Sequence, residues 1–416
     1  LSPEKLCAGA SELGLDLPGF QAVIMAAAEG RNCGEDASNV FVHSRGLWAA
    51  ARFAPLLSAE AVCRVAEACS AGMGDGHPLI LRLHACRALG VLSRHGARLR
   101  RKGGSHGVTG EAARAMCDAR IGAASRVAVS VAPSLAAACE ESTVHFIVET
   151  MIQLVKHFPK YAVADGGTPI LIQLAMNMWV RHSADPLVVE VVEDLLLSLP
   201  RVPQALPQMI ETLVPCLPEV FERVRAGEAR LEAVAQGSLS LLREIAKRAK
   251  RVGRIMERGT RGGSATAGCC RLDPSTRDFL LFGLMGAGPL LLETDSHALM
   301  QEGCNTLAAF VVALSGGDPS PADPADSTPW AGSGNFDQND VLSSVSAGAV
   351  GSSSPPTSAL SLVLAFLARV MAPGFHEPAL LFTGVLLSAV LRCVPPRCLG
   401  NKTVQHLLCV SFDKLE

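Results

Sequence analysis

Histidine and cysteine are the side chains best placed to do chemistry near neutral pH, and two short pairings invite that reading: His84 with Cys86, and His145 with Glu149. His84 and Cys86 are two residues apart and face different sides of a helix. His145 and Glu149 are four apart and meet on one face, where a helical hydrogen bond or ion pair accounts for them. A nucleophile or general base needs an oriented third group, and nothing in the spacing supplies one. The 14 cysteines lie singly within helical stretches, as at Cys63, Cys86, Cys139 and Cys216, where a thiol acts as a small apolar core residue. Such usage fits a reducing compartment. Cys269 and Cys270 adjoin in a glycine-rich stretch and cannot assemble a four-ligand zinc site. With no nucleophile elbow, phosphate loop or metal box, the residues predict no catalysis, no metal and no cofactor.

Charge offers two further constellations, and both are surfaces. Glu211, Glu219 and Glu222 lie eight and three residues apart, loosely on one side of a helix, where they favour a basic protein cargo or form a solvated face. The run from Arg243 to Arg261 places Lys247, Arg251, Arg254 and Arg258 at helical spacing, a contact for an acidic partner or a solubilising edge. No aromatic is interleaved in that run, which argues against stacking on single-stranded nucleic acid. The formal charge of −2 gives no argument for nucleic acid either.

The elements that hold these residues are helices. Asp185-Pro186 opens one of them, with Asp185 as N-cap and Pro186 in the first turn, where its missing N–H costs nothing. Leu187, Val188, Val191, Val192, Leu195 and Leu196 follow at three- and four-residue spacing and make one apolar stripe. After Pro200 and Pro203 a second helix runs from about Leu206 to Val224, so the two form an antiparallel hairpin. Comparable helices begin near Val40, Leu79, Val144, Ala229, His297 and Phe375, and the uninterrupted spacings are about 40 residues, near the period of HEAT and armadillo repeats. The hairpins read as Val40–Leu57 with Ala59–Ala71, Leu79–His95 with Glu111–Cys139 broken near Arg126, and Val144–Phe158 with Pro169–His182. They continue as Ala229–Lys250 with Thr276–Leu292, His297–Leu314 with Ala359–Met371, and Phe375–Cys393 with Lys402–Leu415. Trp48 and Trp179 read as core.

Across 416 residues, 49% hydrophobic but only 4% aromatic, aliphatic helix-on-helix packing is favoured over sheet. The expected fold is an all-α HEAT-repeat solenoid, a right-handed superhelix, because one hairpin cannot cover its own apolar faces. Residues 1–315 read as repeats carrying basic, glycine-rich insertions near 98–110 and 248–274. Residues 316–356, with isolated Trp330 and Phe336, read as a disordered loop, and 357–416 as further repeats. The longest apolar runs, Phe279–Leu292 and Ala379–Leu391, fall short of the roughly 20 residues that span a bilayer, so no membrane insertion is expected. The first residues are polar, without a signal segment. Leu1 in place of an initiating methionine reads as the start of an internal piece or an incomplete gene model. The glycosylation pattern Asn401-Lys402-Thr403 is expected to be idle on a cytosolic protein.

Several segments resemble the karyopherin-β family of nuclear transport receptors. They are Glu293–Val312 with its Thr294-Asp295 turn and Met300-Gln301, Val148-Glu149-Thr150-Met151, His182–Pro186, Pro207-Gln208-Met209 and Leu213-Val214-Pro215. Arg369–Pro373 and Phe382–Leu386 continue the match downstream. The resemblance covers roughly 79–391, the middle of a longer receptor. It implies a solenoid that wraps basic cargo such as histones or ribosomal proteins, passes nuclear pores on phenylalanine-glycine repeats, responds to GTP-bound Ran, and shuttles between cytoplasm and nucleus. The family's amino-terminal Ran-binding repeats and its acidic carboxy-terminal loop have no counterpart here. Periodicity alone predicts equally a HEAT scaffold with no transport role.

Overall fold

Asp185 accepts a hydrogen bond from the Leu187 amide at 2.9 Å with Pro186 in the first turn, so the helix start follows the residues as read. The structure, a computed structural model, describes residues 16–30, 37–102, 110–260, 274–314, 359–370 and 377–394; within these, side chains are described except at 17, 37–38, 101–102, 141–142, 251–260, 368 and 377–382. Among the described residues every regular element is helical and none is a strand. The chain divides into two compact units, Leu1–Ala205 and Leu206–Glu416, a boundary the sequence reading does not draw.

The first unit holds α1 (Leu17–Ala28), α2 (Ala37–Phe53), α3 (Ala59–Gly72), α4 (Leu79–Lys102), α5 (Glu111–Ala137), α6 (Glu141–His157), the single turn α7 (Pro159–Ala162), α8 (Gly167–Arg181) and α9 (Pro186–Ser198). Helix α1 has no counterpart in the sequence reading; Asp16 caps it by accepting from the Gly19 amide at 3.0 Å, with Pro18 in its first turn. Apart from α1 with α2 and α8 with α9, neighbours in sequence are secondary neighbours in space. The broad contacts run α2 to α4 to α6 to α9 in one layer and α3 to α5 to α8 in the other, with α1 against α2. Each interior helix, such as α4, α5 or α6, thus buries one face on the layer opposite and both flanks on the helices before and after it in its own layer. Leu89 and Leu92 of α4, Ile121 and Leu135 of α5 and Trp179 of α8 are fully buried; each large apolar side chain so placed contributes roughly 1.5–3 kcal/mol. Close approach needs small residues. A Cβ at Gly46 of α2 would stand 2.5 Å from the Ala27 backbone of α1, and one at Gly122 of α5 would stand 2.4 Å from the Tyr161 ring.

The second unit repeats the scheme. Its helices are α10 (Leu206–Leu213), α11 (Leu217–Arg225), α12 (Glu232–Thr260), α13 (Pro274–Glu293), α14 (His297–Leu314), α15 (Ala359–Val370) and α16 (Glu377–Cys393). One layer runs α11, α13, α15 and the other α12, α14, α16. Helix α14, packed on both flanks by α12 and α16, is buried along nearly its whole length from Leu299 to Leu314, as expected of a helix apolar all round.

Helix ends are closed in a recurrent way: a cation from a neighbouring helix meets the last carbonyls, which have no partner within their own helix. Arg82 donates to the Met73 carbonyl after α3 at 3.2 Å. Arg100 donates to the His157 carbonyl at the end of α6, and Lys250 to Val312 near the end of α14. Arg369 of α15 donates to the Leu291 and Thr294 carbonyls at the end of α13, at 3.0 and 2.6 Å, and to Asp295 at 3.1 Å.

Four sequence expectations change. The single helix over 206–224 is two, separated by a 3-10 turn at Val214–Cys216, because Pro215 and Pro218 withdraw amides from consecutive turns. The break near Arg126 is absent and α5 is continuous past an internal Pro133. The insertion near 98–110 begins as helix, since α4 runs to Lys102, and α12 likewise reaches Thr260 within the segment expected as the 248–274 loop. Cys216 is exposed on the 3-10 turn and Cys139 half-buried, whereas Cys63 and Cys86 are buried as expected. Residues 103–109, 261–273, 315–358 and 395–416 lie outside the described set, and with them Cys269-Cys270, Trp330, Phe336 and the helix expected at 402–415.

Candidate functional site

The three carboxylates read as a cargo contact are all exposed, but on two helices: Glu211 on α10, Glu219 and Glu222 on α11. Arginines are interleaved with them. Arg225 reaches Glu222 at 3.0 Å and Glu293 at 2.8 Å, and Arg223 grips Glu228 through two bonds of 2.9 and 2.8 Å, with Arg230 on the same carboxylate. The bond between Arg223 and Glu228 holds the Glu228 carboxyl below its usual range and raises Arg223, while Glu293 and then Glu222 raise Arg225. Of the three carboxylates, Glu222 is thus paired with an arginine, and no ion pair to Glu211 or Glu219 is found among the described residues, so the field on a basic partner is weaker than three bare carboxylates would give.

The basic run divides by role. Arg243 pairs with Glu302 at 3.0 Å, Arg248 with Glu244 at 2.6 Å, and Lys250 closes the end of α14; these are structural. Lys247 is exposed. Arg251, Arg254 and Arg258 lie on the same helix, α12, whose spacing of four, three and four keeps them in register with Lys247.

The residues with chemical potential are not gathered into a reactive site. His84 is half-buried, its Nδ1 has no hydrogen-bond partner, and its pKa is lowered by burial and then by Arg45 and Arg87. The His145 ring packs on Phe146 with centroids 3.9 Å apart, and no hydrogen bond to Glu149 is found among the described residues. Cys63 and Cys117 bring their sulfurs to 3.9 Å, yet burial raises both thiols, Cys117 to about 12. Neutral thiols are poor nucleophiles. Among the described residues no group of three or more His, Cys, Asp or Glu stands close enough to hold a metal ion, and no helix is long and apolar enough to cross a membrane.

One surface was missed from sequence. On the solvent side of α2 and α4, Arg45, Arg52, Arg87, Arg94 and Arg98 are exposed, with aromatic rings between them. Arg45 lies 5.2 Å from the Phe41 centroid, Arg52 5.3 Å from Trp48, and Arg87 4.2 Å from Phe146 of α6. The α4 stripe was visible in the spacing His84, Arg87, Val91, Arg94, Arg98. Its company on α2 and α6 is a tertiary fact. Comparison of the chain with protein-family models and with curated proteins gives no match.

Proposed function

We propose that this chain is a non-enzymatic protein carrier: a HEAT-type, right-handed α-solenoid of the karyopherin-β kind, similar to importin-9. In this reading it holds basic proteins such as histones or ribosomal proteins, yields them to GTP-bound Ran, and shuttles between cytoplasm and nucleus on phenylalanine-glycine repeats. The observation that carries the reading is the next-but-one helix packing in two layers within each unit, the arrangement of repeats that bury their faces only on their neighbours. The residue resemblance over 143–217 and 293–312 supports the kind of solenoid. Helices stacked this way offer long surfaces in place of a pocket, and release follows when a competing partner binds one curvature better than another. Glu211, Glu219 and Glu222 are the proposed cargo contacts, and Lys247, Arg251, Arg254 and Arg258 an acidic-partner contact.

The test is retention of a histone pair on the immobilised full chain with and without Ran loaded with a non-hydrolysable GTP analogue. Loss of most retained histone on adding Ran is expected; equal retention overturns the carrier mechanism. A second reading, a scaffold without transport, is favoured by the pairing of Glu222 and Glu293 with Arg225, which spends acidic charge internally. A fixed stoichiometric complex with no affinity for phenylalanine-glycine repeats would select it.

A further inference from the structure

We propose that the arginine face of α2 and α4, flanked by α6, is a docking surface for an acidic polypeptide segment. The inference is independent of the carrier reading, which rests on other residues.

Clustering carries the argument: Arg181 and Arg201 are also exposed with no ion pair found among the described residues, but each stands at the end of its own helix, whereas five such arginines lie on the adjacent helices α2 and α4. Arg64, Arg82, Arg100, Arg126, Arg223 and Arg243 each hold a carboxylate of the same chain within ion-pair distance. Arg45, Arg52, Arg87, Arg94 and Arg98 are exposed, and no ion pair to any of them is found among the described residues. Arg45 and Arg87 both stand close enough to His84 to disfavour its protonation, so two helices converge their cations on one place. Crowding like charges is unfavourable unless a partner supplies the opposite sign. Three of the guanidiniums rest on rings, which restrains the side chain while leaving its in-plane donors available for bidentate contact with a carboxylate. Glu149, exposed on α6 one turn beyond Phe146, bounds the face on that side.

Polypeptide is favoured over nucleic acid by the same rings. Phe41, Trp48 and Phe146 each already hold a guanidinium, and base stacking needs a free ring face. Spacing agrees. Arg45 to Arg52 and Arg87 to Arg94 are each two helical turns, about 10.5 Å at a rise of 1.5 Å per residue. A polyproline II segment, with three residues per turn and a rise of about 3.1 Å, covers nearly that distance in one turn, so carboxylates three positions apart lie on one side of the peptide and meet successive arginines.

The experiment measures anisotropy of a dye-labelled Asp/Glu-rich peptide of about twelve residues with the full chain, beside an Asn/Gln peptide of the same length and a single-stranded oligouridine. The acidic peptide is expected to bind, to weaken as salt is raised from 50 to 200 mM, and to lose roughly tenfold or more in affinity in Arg45→Glu/Arg87→Glu. Arg45→Lys/Arg87→Lys should fall between, because lysine keeps the charge and loses the fork. Arg201→Glu, an exposed cation away from this face, should change nothing. Circular dichroism checks the fold; if the double variant melts early, Arg94→Gln/Arg98→Gln replaces it, with loss again expected. Absence of acidic-peptide binding, binding indifferent to these arginines, or tighter binding of oligouridine through them would each overturn the proposal.

Discussion

His95 is buried in α4 and its Nε2 finds no hydrogen-bond partner. Burial, and then Arg98, push its pKa from 6.5 down to about 4. Between those values the unfolded chain binds a proton that the folded chain refuses, so stability is full above about pH 6.5 and falls as pH drops toward 4, by up to about 3 kcal/mol. His43 and His84, lowered by burial as well, act in the same direction. Urea unfolding at pH 7 and pH 5 should show a lower midpoint at pH 5, and His95→Leu should narrow the gap; an unchanged gap would assign the effect elsewhere. The thiols make a second residue-scale prediction. Burial raises Cys69, Cys86 and Cys304 to about 12, leaving almost no thiolate at pH 8. Iodoacetamide should label exposed Cys216 well before these three in the native protein, and all four comparably in denaturant. Peptide mass mapping reads the order.

At the scale of elements, closing a helix end with a neighbour's cation does two tasks at once: it satisfies carbonyls and fixes which helix lies alongside. Arg369 is the clearest case, nearly buried and bonded to two carbonyls at the end of α13. Arg369→Met keeps most of the packed stem but strands those carbonyls, and should cost about 2–3 kcal/mol, read as a lower melting temperature with little change in helix content. Such contacts are what one sequence cannot display. Asp185-Pro186 could be read because an N-cap and its partner amide are two residues apart. Helix α1 was not, since its Leu17–Ala28 run has weak polar contrast. The far end of α12 reads as a loop in sequence because cations at helical spacing also suit a solvated insertion. The acidic trio reads as one helix because the periodicity of 206–224 is good, and only Pro215 and Pro218 say otherwise.

At the scale of the molecule, next-but-one packing means that damage should spread by neighbours. Leu92→Ala opens a cavity in α4, at a cost of about 2–5 kcal/mol, and faster hydrogen exchange is expected in α2, α4 and α6 while residues beyond 206 keep their protection. Uniform loss along the chain would mean that the whole length unfolds as one body. The all-helical class was legible because helical period is a local property. The arginine face was only half legible, since the α4 stripe is a pattern in sequence and its aromatic companions come from two other helices.

The Arg369 contact also bears on engineering. What seats α15 is the end of α13 and the bond from Arg369, while 44 residues, 315–358, separate α15 from α14 in the chain. Two co-expressed pieces of the chain, one ending after α14 and the other starting before α15, should therefore reassemble through this contact, giving a split form whose association reports on the end of α13.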